Sequence, residues 1–208
     1  MKKFIFFLVI ILLPAISHAQ LKIGLKLSPA LNFNRIQTES DSLETESEGI
    51  RIRGLFGIFA DFQFSENYYF NTGLLYVPKV VGVKVTDLTD GVISTARYNV
   101  EYIQIPIDLK LFTDEIALDK RLYFQVGVTV DISMKETIVE GYDPMISKFK
   151  PLDITGMFGG GLEVNVSKNT RLFAGLIYYR GLLNVVDSST KNVIIKTDII
   201  ALDLGVKF

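Results

Sequence analysis

This sequence predicts an all-β fold. The chain should form a closed eight-stranded antiparallel barrel that crosses a lipid bilayer in up-and-down order, behind a cleaved signal peptide. Three observations predict it. The chain closes on an alternating strand whose last residue, Phe208, is aromatic. Alternating segments of the same kind recur along the whole chain. Hydrophobic residues make up 49% of the sequence, yet no stretch beyond the amino-terminal segment is apolar and long enough for a spanning helix.

The amino-terminal segment reads as an export signal. Lys2 and Lys3 are basic, Phe4 to Leu13 is apolar, Pro14 breaks the run, and Ser17-His18-Ala19 offers small residues for cleavage after Ala19. The apolar run is short for a membrane anchor, and no Cys follows it for lipid attachment. Residues 1–19 are therefore expected to be removed, leaving 20–208 as one barrel domain.

That cut limits the chemistry. His18 is the only histidine, and the chain has no Cys and no Trp. Without imidazole or thiol, histidine- or cysteine-based nucleophilic catalysis, zinc sites and disulfides are excluded from the mature chain. No cofactor, metal or catalytic residue is expected. The formal net charge of −1 carries no sign of a nucleic-acid partner.

The strands follow in order, each with apolar residues on one face. The first runs over about 21–34, with Leu21, Ile23, Leu25 and Leu27 opposite Lys22, Gly24, Lys26 and Ser28. The second covers about 50–64, with Phe56, Ile58, Ala60, Phe62 and Phe64 on one side. The third begins at Tyr68 and passes through Phe70, Thr72, Leu74 and Tyr76. The fourth ends near Phe112, its Ile103, Ile105, Ile107, Leu109 and Leu111 opposite Tyr102, Gln104, Pro106, Asp108 and Lys110. The fifth, from Arg121, sets Leu122, Phe124, Val126, Val128 and Val130 against Tyr123, Gln125, Gly127, Thr129 and Asp131. The sixth, from about Asp153, sets Phe158, Leu162, Val164 and Val166 against Gly159, Gly161, Glu163 and Asn165. The seventh, from Arg171, carries Leu172, Ala174, Leu176 and Tyr178. The eighth sets Ile200, Leu202, Leu204, Val206 and Phe208 against Ala201, Asp203, Gly205 and Lys207. In it Leu204, Val206 and Phe208 form the expected carboxy-terminal signal to the barrel-assembly machinery.

Connection lengths alternate. The gaps near 65–67, 113–120 and 167–170 are short, and those near 35–49, 78–97, 133–150 and 184–193 are long. Short periplasmic turns and long outer loops are the rule for such barrels. The first loop carries Glu39, Asp41, Glu44, Glu46 and Glu48, and reads as a solvated acidic loop without calcium-loop spacing. A soluble barrel of lipocalin type also has eight strands, and alternation alone does not separate the two. The export signal, the terminal Phe208, the loop lengths and the interfacial aromatics Phe64, Tyr68, Phe70, Tyr76 and Tyr178 favour lipid.

Five segments carry a family resemblance: NTGLLYVPK (71–79), YNVEYIQIPIDLKL (98–111), DITGMFGGGLEV (153–164), AGLIYYRGLLNV (174–185) and LDLGVKF at the end. They resemble the outer-membrane barrels widespread in Bacteroidota and often called PorT-like. Gly73 stands where members often carry an acid, and Lys79-Val80 where they have Lys-Gly. The resemblance implies an outer-membrane barrel with no shared catalytic site, so no site residue is carried over. The namesake serves a protein-secretion system.

Two candidate sites remain. An eight-stranded barrel has room inside only for side chains, so inward charges must pair. Lys26, Asp108, Lys110, Glu163, Arg171, Asp203 and Lys207 are expected to form such an interior network. Beyond the lipid, the β-prone stretches around Val80, Val81, Val83 and Val85, and around Val92 and Ile93, are expected to rise as a ribbon whose open edge binds a protein partner. Gly159-Gly160-Gly161 reads as room for a bulky interior neighbour, and Pro106 as a bulge. The function read from all this is a non-enzymatic outer-membrane protein acting through its outer loops in binding, adhesion or as an accessory subunit of a surface or secretion assembly. The alternatives are a soluble periplasmic lipocalin-like barrel and a histidine-free outer-membrane enzyme.

Overall fold

A computed structural model describes residues 20–38, 43–87, 93–141, 148–187 and 193–208. The expected signal segment lies outside them. The strands are β1 (Gln20–Thr38), β2 (Leu43–Ser47), β3 (Arg51–Gln63), β4 (Tyr68–Asp87), β5 (Ile93–Phe112), β6 (Lys120–Glu140), β7 (Lys148–Phe149), β8 (Leu152–Asn165), β9 (Arg171–Gly181), β10 (Val186–Asp187) and β11 (Val193–Lys207). Eight of them close a ring in the order β1-β3-β4-β5-β6-β8-β9-β11, with β11 antiparallel to β1. Closure gives every wall strand two neighbours, which is what a sheet in lipid requires.

The two faces of the wall have opposite chemistry. Leu25 and Leu27 of β1, Leu109 of β5, Phe124 and Val126 of β6, Leu176 of β9 and Leu202 of β11 point outward and are exposed. Lys26, Asp61, Lys110, Glu163, Asp203 and Lys207 point inward and are buried. A water-soluble barrel has the reverse arrangement, so the lipocalin-like alternative is overturned. Outward aromatic pairs mark both rims of the apolar band. Phe56–Tyr76 and Phe158–Tyr178 lie at the outer rim, with ring centroids 5.2 and 5.5 Å apart. Phe62–Phe70 and Phe64–Tyr68 lie at the periplasmic rim, at 6.3 and 6.2 Å. The C-terminal strand is pinned at that rim, where the Phe208 N–H donates to the Ile23 carbonyl at 2.8 Å.

Tight packing explains two local features. Built side chains at Gly161 and Gly175 would come within 2.8 and 2.6 Å of the Tyr123 hydroxyl, so these glycines make room for an inward tyrosine. Pro106 is accommodated without the expected bulge. The β4–β5 register is the same on either side of it, Thr72↔Ile107 and Leu75↔Gln104, and the ladder skips the step opposite Gly73. The bulges of β5–β6 lie higher, at Arg97/Tyr98 and Glu101/Tyr102.

Above the outer rim the wall changes course. β3 and β4 pair only up to Phe56↔Tyr76. Beyond that β4 leans inward, and the Val80 N–H donates to the Asn32 side chain of β1 at 2.7 Å. β2 pairs with the outer part of β4, from Ser47↔Val83 to Leu43↔Asp87. β4, β5 and β6, at 20, 20 and 21 residues, are about twice as long as a bilayer crossing needs. Their surplus forms an extracellular sheet in the order β2-β4-β5-β6.

Candidate functional site

The periplasmic half of the interior is an ionic plug built from seven wall strands. Asp61 of β3 accepts from Lys110 of β5 at 3.0 Å and from Lys207 of β11 at 2.9 Å. Glu163 of β8 binds Arg121 and Arg171 at 3.0 Å each and also pairs with Lys207. Lys26 pairs with Asp203 at 3.0 Å, and Ser28 donates to the same carboxylate at 3.1 Å. Five aromatic rings, Phe59, Tyr69, Phe112, Tyr123 and Phe173, pack among these charges. Lys110 and Lys207 lie over Phe59 and Phe112, with Nζ 4.7 and 4.9 Å from the ring centroids. Such contacts stabilise a cation that has left water.

The structure brings together six of the seven residues named from the sequence. Asp108 is the exception. It is buried, yet neither carboxylate oxygen has a hydrogen-bond partner, and it forms no ion pair among the described residues. The lysines expected to serve it are engaged elsewhere, Lys110 on Asp61 and Lys26 on Asp203. Asp61 and Arg121 belong to the plug but were not assigned to it. Both sit on the inward phase of their strands, so the alternation itself carried the signal.

A second ionic cluster was missed altogether. Lys79 Nζ lies 2.6 Å from Asp131 and 2.8 Å from Asp153. Lys79 is 1% exposed, and the two aspartates face each other across the β6–β8 pair. Thr129 and Thr155 donate to Asp131 at 2.9 and 3.1 Å. This lysine ties the leaning part of β4 to the far wall.

Around and above Lys79 the filling is apolar. Val77, Val81, Val83, Val85, Val100, Tyr98, Phe149, Val185, Ile195 and Ile199 form one buried cluster. The ribbon expectation is corrected here. The hairpin does extend as a paired ladder from Tyr76↔Ile103 to Thr86↔Ile93. Val80, Val81, Val83 and Val85 are nevertheless buried, and β2 and β6 occupy the two edges of the hairpin. Burying one valine is worth about 1.5 kcal/mol or more, so four of them favour a covered sheet over an open ribbon. Ile93 is exposed, and Val92 lies outside the described residues.

The acidic first loop is likewise not all solvated. Glu48 pairs with Arg51 at 2.7 Å and with Arg97, which also holds Glu140 at 2.9 Å. Glu44 is exposed, and Glu39 and Asp41 lie outside the described residues. Leu204, Val206 and Phe208 follow the outward phase of β11.

A family model for the outer membrane protein beta-barrel domain matches residues 17–187, and the chain belongs to that family. Solved barrels share the fold. Neisserial surface protein A aligns at 13% identity over 91% of this chain and 97% of its own, with a TM-score of 0.53. OprG from Pseudomonas aeruginosa aligns at 8% identity over 89% and 95%, with a TM-score of 0.56. The outer membrane protease OmpT from Escherichia coli aligns at 10% identity over 92% and 96%, with a TM-score of 0.52. At these identities the likeness concerns the fold alone. No curated protein gives a significant match.

Proposed function

We propose that this outer-membrane barrel is a non-enzymatic surface protein that works through its extracellular side, as a binding or adhesion protein or an accessory subunit of a surface or secretion assembly. The observation that carries this reading is the division of the molecule. The interior is filled, by ion pairs below and aliphatic side chains above, while long strands build an ordered sheet outside the membrane. A filled interior serves stability, which leaves the outer sheet as the part that meets other molecules. The closer affiliation with the PorT-like barrels of Bacteroidota belongs to the same reading, and rests on segments 98–111 and 153–164. So does export through residues 1–19, carrying the protein to the assembly machinery.

Conductance in planar bilayers tests the reading. The protein is expected to give no steady current, because its lumen is plugged along its length. Large ohmic steps would show an open pore and overturn a role confined to the surface.

A further inference from the structure

β6 continues past its last pairing with β8, and among the described residues one of its edges there has no strand partner. That pairing ends at Ile132↔Leu152, and the Ser133 N–H makes a final bond to the Pro151 carbonyl at 2.9 Å. From Met134 to Glu140, β6 pairs with β5 alone, and every residue is exposed. β7, the nearest strand in sequence, pairs with β10 instead. Among the described residues nothing else bonds to that backbone edge.

Two bulges shape it. The register shifts opposite Glu101/Tyr102 and Arg97/Tyr98 insert Met134 and Val139 as extra residues. Bulges re-aim side chains, and here Met134, Ile138 and Val139 are 67, 57 and 48% exposed. Beside the edge lies a cleft of about 230 Å³ lined by Ser133, Met134, Lys135, Glu136, Lys148, Phe149 and Pro151. Its floor is the buried Phe149 ring, packed on Tyr98 at 5.2 Å. Lys135 and Lys148, with exposed Lys150 next to them, form no ion pair among the described residues.

We infer that the free outer edge of β6, Met134–Glu140, is a strand-addition site for an extended segment of another protein that alternates apolar with acidic side chains. This rests on the surface-acting reading above and names where it operates. The backbone edge supplies hydrogen bonds to any strand. The cleft over Phe149 takes an apolar side chain, and the lysines favour acids beside it. The β6 edge of a second copy cannot add in antiparallel fashion. Copies in one membrane carry β6 in the same direction, so their edges cannot meet antiparallel.

The test uses the full chain folded in lipid nanodiscs and a displayed library of short random peptides. Selected peptides are expected to alternate apolar with acidic residues. Successive N–H groups of a strand point to opposite sides, so either Thr137→Pro or Ile138→Pro removes a donor from the free edge. That variant should weaken binding about tenfold or more while retaining heat-modifiable migration. Lys135→Glu with Lys148→Glu should shift the preference from acidic to basic peptides. Peptides without acidic bias, or peptides held equally by wild type and both proline variants, would overturn the site. Photocrosslinking probes at Lys135 and at Glu44 in intact cells separate the two proposals. Crosslinks to other proteins from Lys135 support the β6 site. Crosslinks from Glu44 alone overturn that site and leave the surface-acting reading standing, and a second copy captured at Lys135 overturns the partner. No crosslink from either probe overturns both.

Discussion

The periplasmic half of the barrel is filled by charge, and the part from about the level of Lys79 outward by aliphatic side chains. The wall explains the contrast. In the periplasmic half every strand keeps its place in the ring, so only side chains reach the centre. Long charged groups such as Lys110, Lys207 and Arg171 reach into it and meet carboxylates of strands one or two places round the ring. In the outer half, β4 itself leans inward and brings Val77, Val81 and Val83 as bulk. Two different fillings thus answer one requirement, a packed interior whose charges are paired, with Asp108 the exception. Their responses to substitution should differ accordingly.

The largest effect is expected where the two regions meet. Lys79→Met leaves Asp131 and Asp153 facing each other with no cation. Removing one partner from a buried ionic group costs about 3–5 kcal/mol, and full burial of all three residues puts this case at the upper end. Urea titration of the protein folded in lipid vesicles measures it. Adding Asp131→Asn and Asp153→Asn should restore much of the loss. A loss below about 1 kcal/mol would show that water reaches the cluster and that the boundary is not dry.

Next comes the plug. Glu163→Leu strands Arg121 and Arg171 and leaves Lys207 with Asp61 alone, and should cost about 3 kcal/mol by the same titration. The effect is smaller than at Lys79 because the Arg121 and Arg171 side chains keep 15 and 22% exposure and can turn to water. Glu44→Leu on exposed β2 should stay within about 0.5 kcal/mol. Equal losses at Glu163 and Glu44 would contradict the plug. In the apolar half, Ile195→Val removes one methylene from a fully buried site and should cost about 1 kcal/mol. A loss as large as that at Glu163 would mean that the outer filling is as unforgiving as the ionic one.

The same boundary separates what was legible in the sequence from what was not. Alternation of period two is a local property, and it identified the inward phase of every wall strand, including Lys26, Glu163, Asp203 and Lys207. The partner of each charge was harder, because barrel register brings together residues as distant as Asp61 and Lys207. Lys79 was missed because period two says which side of a strand a residue occupies, not that the strand leaves the wall. The inward lean of β4 depends on a bond to Asn32 and on β2, which reads locally as an acidic loop. Among the described residues the open edge lies on β6 and not on the hairpin, for the same reason. The valines that make the hairpin β-prone also make it worth covering, whereas Met134-Lys135-Glu136 carries too much charge to be buried.

Within the interior the smallest effect, and one of opposite sign, is expected at Asp108. It lies in the charged half and is 2% exposed, yet it stands apart from the ion pairs around it. A buried carboxylate without partners destabilises the fold that holds it. Asp108→Asn keeps the shape and removes the charge, so stability should be unchanged or rise by up to about 1 kcal/mol. Glu163→Gln is the matching change within the plug, and it should lose about 2 kcal/mol, since each of its three cations then faces a neutral amide. Measured side by side in the same vesicles, the two amide substitutions compare a carboxylate that the plug uses with one that it does not. If Asp108→Asn lost as much as Glu163→Gln, the charge of Asp108 would be balancing Lys26 or Lys110 at longer range. The plug would then be a single nine-membered network and not a set of direct pairs.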